Sequence, residues 1–139
     1  MSWCPVLRAG SRRPHLLLVA RRAVSTSSTP PTKHTFIVYA PDKTDEGTLE
    51  RRLSVRPSHL VGVSGMRERG LVKFGGAMLT PESVAGPKKM VGSVMFYEAA
   101  SLDEVRAAVE GDIYYTSGVW DPERIVIQPF AAAMPWPGN

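Results

Sequence analysis

Acidic residues are missing from the first 32 positions of this 139-residue chain. The same stretch holds Arg8, Arg12, Arg13, Arg21 and Arg22 and is rich in Ser and Thr. Those arginines account for the basic charge of +4: of the 17 Lys+Arg, 12 remain from Lys33 onward, against 13 Asp+Glu. A body near −1 offers no electrostatic footprint for a phosphate backbone, so nucleic acid is not expected as a partner. An Arg-rich, hydroxyl-rich, acid-free leader has the composition of a mitochondrial transit peptide. Residues 1–32 are therefore expected to be a presequence or disordered extension, cut near Ser25, with the matrix as destination. A secretory signal fits less well. Its apolar core would be only Leu16-Leu17-Leu18-Val19-Ala20, short of the roughly 7–15 residues such a region needs.

Cysteine is nearly absent too. Cys4 is the only one, so residues 33–139 exclude disulfides, thiolate nucleophiles and Cys-ligated metal. Of the three histidines, His15 lies in the leader, leaving His34 and His59. Two are too few for a His-rich metal site, and no metal is expected. No run approaches the ~20 apolar residues of a membrane span, and no membrane association is expected. Neither a P-loop nor a G-x-G-x-x-G is present, so no nucleotide cofactor is expected either.

What is present reads as one domain over 33–130, followed by a small, proline-rich tail at 131–139. Residues 34–40 are rich in β-branched and aromatic side chains and form a first strand, stopped by Pro41. A helix follows, capped by Thr44 or Asp45, with Leu49, Leu53, Leu60 and Val63 as its apolar stripe. Pro57 interrupts this stripe and predicts two pieces, about 45–55 and 57–68. Gly70 closes the helix. Strands follow at 71–79 and 90–97, with Gly75-Gly76 suggesting a bulge or a close backbone approach. Ser101 to Glu104 is a capping box opening a second helix that stops at Gly111. A short irregular or single-turn piece at 112–118 leads to a last strand, 124–128. The order is β-α-β-β-α-β, an α+β, ferredoxin-like arrangement.

Two helices cover only one face of such a sheet, yet the strands are apolar on both. A wet face would alternate. A homodimer joined through the sheet face, a dimeric α+β barrel, is therefore expected. Burial of that face by the tail around Trp136 is the lesser alternative.

Tyr39-Ala40-x-Asp42-Lys43 followed by Leu49-Glu50-x-Arg52-Leu53-Ser54-Val55-Arg56-Pro57-x-His59-Leu60 closely resembles the YCII-related family. The likeness continues through Gly70-Leu71, Ser101 to Glu104, Asp112-x-Tyr114, Gly118-Val119 and Val126-x-Gln128-Pro129-Phe130. It spans about 34–130. The resemblance implies a dimeric ferredoxin-like fold and a His–Asp pair in a cleft beside the sheet, which by position are His59 and Asp112. It also implies kinship with a branch that removes chloride from chlorinated hydroxyquinols, and with cofactor-independent isomerases and monooxygenases. The chain departs from the family where Asp112-Ile113-Tyr114 replaces Asp-Pro-Tyr and where Gly75-Gly76-Ala77 replaces Ala-Gly-Pro.

A His–carboxylate pair is a minimal acid/base unit, since the carboxylate fixes the imidazole tautomer. It suits proton abstraction beside a carbonyl or phenol, followed by isomerisation or loss of a leaving group. Arg56 is a candidate for a substrate carboxylate or an enolate. Tyr39, Ser58 and Tyr114 are candidate hydrogen-bonding residues, although Ser58 and His59 point apart on a helix. Three readings stay open: a cofactor-independent lyase, isomerase or hydrolase acting on a small metabolite, a non-catalytic small-molecule binder, and an accessory dimer module.

Overall fold

The computed structural model describes Met1 and residues 31–134. Most of the expected leader, with Cys4 and His15, lies outside the described residues, as do the end of the tail and Trp136. The elements are β1 (His34–Pro41), α1 (Thr48–Glu68), β2 (Val72–Leu79), β3 (Met90–Ala99), α2 (Leu102–Glu110), α3 (Ile113–Thr116) and β4 (Val126–Pro129). The sheet is antiparallel with order β2-β3-β1-β4. This is the α+β, ferredoxin-like order that the succession of elements implies.

Strand alternation sorts the side chains. Phe36, Val38 and Ala40 of β1 and Met95, Tyr97 and Ala99 of β3 are buried. They meet Val105 and Val109 of α2, together with Tyr114, Val119 and Trp120, in one core. The capping box holds α2 in place: Ser101 Oγ accepts from the Glu104 N–H at 3.2 Å, and Glu104 reaches back to the Ala100 N–H at 2.9 Å.

Helix α1 corrects three expectations. It runs unbroken for 21 residues with Pro57 inside it. Pro57 and Leu53, whose carbonyl loses its i+4 donor, are both exposed, so water can replace the missing N–H. Its N-cap is Gly47 with φ 83°, not Thr44 or Asp45. Asp45 instead accepts from Thr48 Oγ1 and Arg51. Finally, the leucine stripe is not the buried one. Leu53 and Leu60 are 52% and 46% exposed, while Thr48, Arg52, His59 and Met66 are buried. The helix thus turns a largely polar face toward the sheet. At its far end Gly70 (φ 73°) completes a Schellman motif, with Gly70 N–H on Arg67 O and Leu71 N–H on Met66 O.

The irregularities of β2 lie between Val72 and Phe74 and between Met78 and Leu79, not at Gly75-Gly76, which pair in register with Met95 and Val94. Gly75 is a close approach instead. A Cβ there would sit 2.8 Å from Met95 Cγ and 3.1 Å from the Val94 carbonyl oxygen. Beyond the sheet's covered side, Ile37, Tyr39, Val94, Phe96, Phe74 and Val126 occupy the other parity and are half-buried or exposed.

Candidate functional site

Asp112 ends the loop after α2 and is the N-cap of α3. Its Oδ1 accepts the Tyr114 N–H at 2.8 Å. This short turn needs only an extended N-cap and helical residues after it. The turn forms with Ile113 at the first helical position, a place that proline also fits, so the departure leaves it intact. Both carboxylate oxygens lie 2.9 Å from His59 Nδ1 on α1. Both residues are buried. An ionised carboxylate only accepts, so Nδ1 donates and the neutral ring carries its lone pair on Nε2.

Tyr114 follows from the same turn. Its ring stacks on His59 with centroids 3.9 Å apart and planes 21° apart. Trp120 meets both rings edge-on. Burial pushes the Tyr114 phenol above its ordinary value, against the pull of the nearby Arg52 and Arg56 cations.

Beneath these rings lies a polar network that sequence reasoning did not assign to the site. Arg52 is 2% exposed. It donates through Nη1 to Asp42 Oδ1 at 2.7 Å and through Nη2 to Ser93 Oγ at 2.9 Å. Its guanidinium carbon lies 4.4 Å from the Tyr114 ring centroid. Trp120 Nε1 donates to the same Ser93 hydroxyl at 3.3 Å. Asp42 Oδ2 and Arg52 Nε are buried without a hydrogen-bond partner among the described residues. Burial raises the Asp42 pKa, and the charge and hydrogen bond of Arg52 pull the other way. The available signal was spacing: Arg52 and His59 are seven residues apart, two turns, on one helix face.

A cleft of about 530 Å³ opens between α1 and the edge strand β2, with Arg52, Arg56, His59 and Tyr114 in its wall and Gly75 and Gly76 opposite. Arg56 lines it and has no ion-pair partner among the described residues. It does not bridge to Asp112 or Glu50. Two expected residues fall elsewhere. Tyr39 pairs with Val94 and is 41% exposed, on the opposite sheet face. Its neighbours Val38 and Ala40 point inward, so strand alternation sends it outward. Ser58 is exposed on α1 and does not line the cleft. Among the described residues, no group of three or more His, Cys, Asp and Glu side chains is gathered for a metal. No described helix is long and apolar enough to cross a membrane.

A solved structure of 5-chloro-2-hydroxyhydroquinone dehydrochlorinase (TftG) from Burkholderia phenoliruptrix AC1100, complexed with 2,5-dihydroxybenzoquinone, is similar to this fold. It superposes with a TM-score of 0.58 at 26% identity, over 70% of this chain and 93% of that one. Protein YciI of Escherichia coli O6:H1 is 34% identical over 96 residues, 68% of this chain and 94% of its own. Fusaric acid biosynthesis protein 2 of Gibberella moniliformis is 31% identical over 96 residues, 68% of this chain and 90% of its own. The YCII-related domain model matches residues 35–131. By that match over most of its length and by its identity to Protein YciI, the chain belongs to the YCII-related family.

Proposed function

We propose that this protein is a cofactor-independent acid–base enzyme of lyase, isomerase or hydrolase type, acting on a small metabolite. The observation that carries the reading is the position of His59. Its Nδ1 is committed to Asp112 at 2.9 Å, and the residue lines a ligand-sized cleft. In this scheme Nε2 takes a proton from a carbon beside a carbonyl or from a phenolic hydroxyl. Asp112 holds the tautomer and stabilises the imidazolium once formed. The Arg56 cation stabilises the oxyanion that develops, and Tyr114 supports the His59 ring by stacking. The proton held on His59 is then available to a leaving group or to a second carbon. The dehydrochlorination named for the similar TftG structure is of this general type.

The working unit in this proposal is a homodimer. The half-exposed apolar parity of the sheet, with Ile37, Val94 and Phe96, supports it. The Arg-rich, acid-free composition of residues 1–32 supports a matrix location.

The test is turnover. Purified protein is incubated with a mitochondrial metabolite extract and, separately, with chlorinated hydroxyquinols, and consumption is followed by mass spectrometry. Wild type should deplete a substrate that His59→Gln leaves untouched. Equal depletion by the two proteins would refute the role of His59. Tight retention of an unchanged metabolite would instead mark a binding module.

A further inference from the structure

The cleft's helical wall has a second pattern, of which the acid–base reading uses only Arg56. Arg56, Leu60, Val63 and Arg67 all line it. Their spacing of i, i+4, i+7 and i+11 puts them on one stripe of α1, since successive residues turn by ~100°. The stripe is cationic at both ends and apolar between. Its ends lie about 16 Å apart along the axis at ~1.5 Å per residue. Neither Arg56 nor Arg67 has an ion-pair partner among the described residues. Lys73 of β2 faces the same cleft, its charge partly offset by Glu98 at 3.2 Å.

No Asp or Glu is among the residues that line the cleft. Asp112 is engaged by His59 and the Tyr114 N–H, and Asp42 by Arg52. Arg67 also sits in the last turn of α1, where a cation suits the helix dipole. That placement stabilises the arginine without cancelling its charge.

We infer that the cleft takes an elongated organic dianion, with an apolar body against Leu60 and Val63. One anionic group meets Arg56 beside His59, and the other meets Arg67 with Lys73. The inference rests on the proposed function for the identity of the site and adds the charge and shape of its ligand. Arg67 is then a binding residue remote from the proton transfer, anchoring the end of the ligand that does not react.

The test is isothermal titration of the full chain with straight-chain dicarboxylates from malonate to azelate. Hexanoate and hexanediol serve as the monoanionic and neutral controls. One diacid length should bind best, about tenfold or more tighter than hexanoate, and its affinity should fall as salt is raised. Arg67→Gln should lower that diacid to the affinity of the monoacid while leaving hexanoate unchanged. Arg67 is exposed, so the variant should fold, as a melting curve would verify. Equal affinity for diacid, monoacid and diol, including no binding of any, overturns the inference, and so does an Arg67→Gln variant that binds the diacid as well as wild type. His59→Gln separates the two ideas. Turnover surviving in that variant sinks the acid–base reading, whereas the diacid preference stands or falls without it.

Discussion

Replacing Arg52 with Met tests the buried network on which the site rests. The substitution keeps much of the side-chain volume and removes the charge. It deletes the 2.7 Å bond to Asp42, the 2.9 Å bond to Ser93 and the cation lying 4.4 Å from the Tyr114 ring. The pair is deeply buried, with side chains 2% and 5% exposed. Removing one partner of such a pair costs about 3–5 kcal/mol, because the other charge stays buried and uncompensated. For a domain of this size that lowers the melting temperature by roughly 12–40 °C, at ~4–8 °C per kcal/mol. The cost should also depend on pH. The folded-state pKa of Asp42 is already raised by burial against the pull of Arg52. A raised value means that the carboxyl's contribution is complete below its unfolded pKa and is lost as pH rises through the folded one. Without Arg52 the folded value rises further. The variant's deficit should therefore be larger at about pH 8 than at about pH 5. Urea unfolding of both proteins at the two pH values measures it. The double variant Asp42→Leu/Arg52→Met should recover much of the loss, since an apolar replacement leaves no buried charge. An Arg52→Met protein as stable as wild type, or a deficit that is the same at both pH values, would refute the reasoning.

Asp112→Asn should keep the N-cap of α3, because an amide oxygen can still accept the Tyr114 N–H, but should cut turnover about 10²–10⁴-fold. Asp112→Ala should lose a further ~0.5–2 kcal/mol of stability with the cap, seen as a lower melting temperature. Pro57→Ala should stabilise the fold by about 1–3 kcal/mol, since Pro57 lies inside a continuous, exposed stretch of helix; a loss of stability in urea unfolding would mean that the chain uses the proline as a break. Val94→Asp, on the outward parity of β3, should leave the monomer folded and shift the sedimentation profile from dimer to monomer, and an unchanged profile would remove that face from the proposed dimer.

Local chemistry made some elements readable directly. Ser101 and Glu104 marked the start of α2, and Gly70 marked the end of α1. Pro41 sits at the end of β1. The inward parity of β1 was not readable, because both its faces are apolar in the sequence; only the fold turns Val38 and Ala40 to the core and so sends Tyr39 away from the cleft. Pro57 misled because a proline's cost depends on whether water can reach the carbonyl it strands, which is a property of the fold. The leucine stripe misled for a related reason. Hydrophobic periodicity presumes that a helix buries its apolar side, whereas α1 buries Arg52 and His59.

The amino-acid sequence alone determined the succession of elements and the family pattern. Turn, cap and strand preferences act over a few residues, and they need no distant partner. Only the tertiary structure decided that the polar side of α1 faces inward. That choice is stable because its partners come from far along the chain: Asp42 and Ser93 for Arg52, and Asp112 for His59, separated by 10, 41 and 53 residues. A buried charge is tolerated only where such partners converge, and no local pattern encodes that convergence.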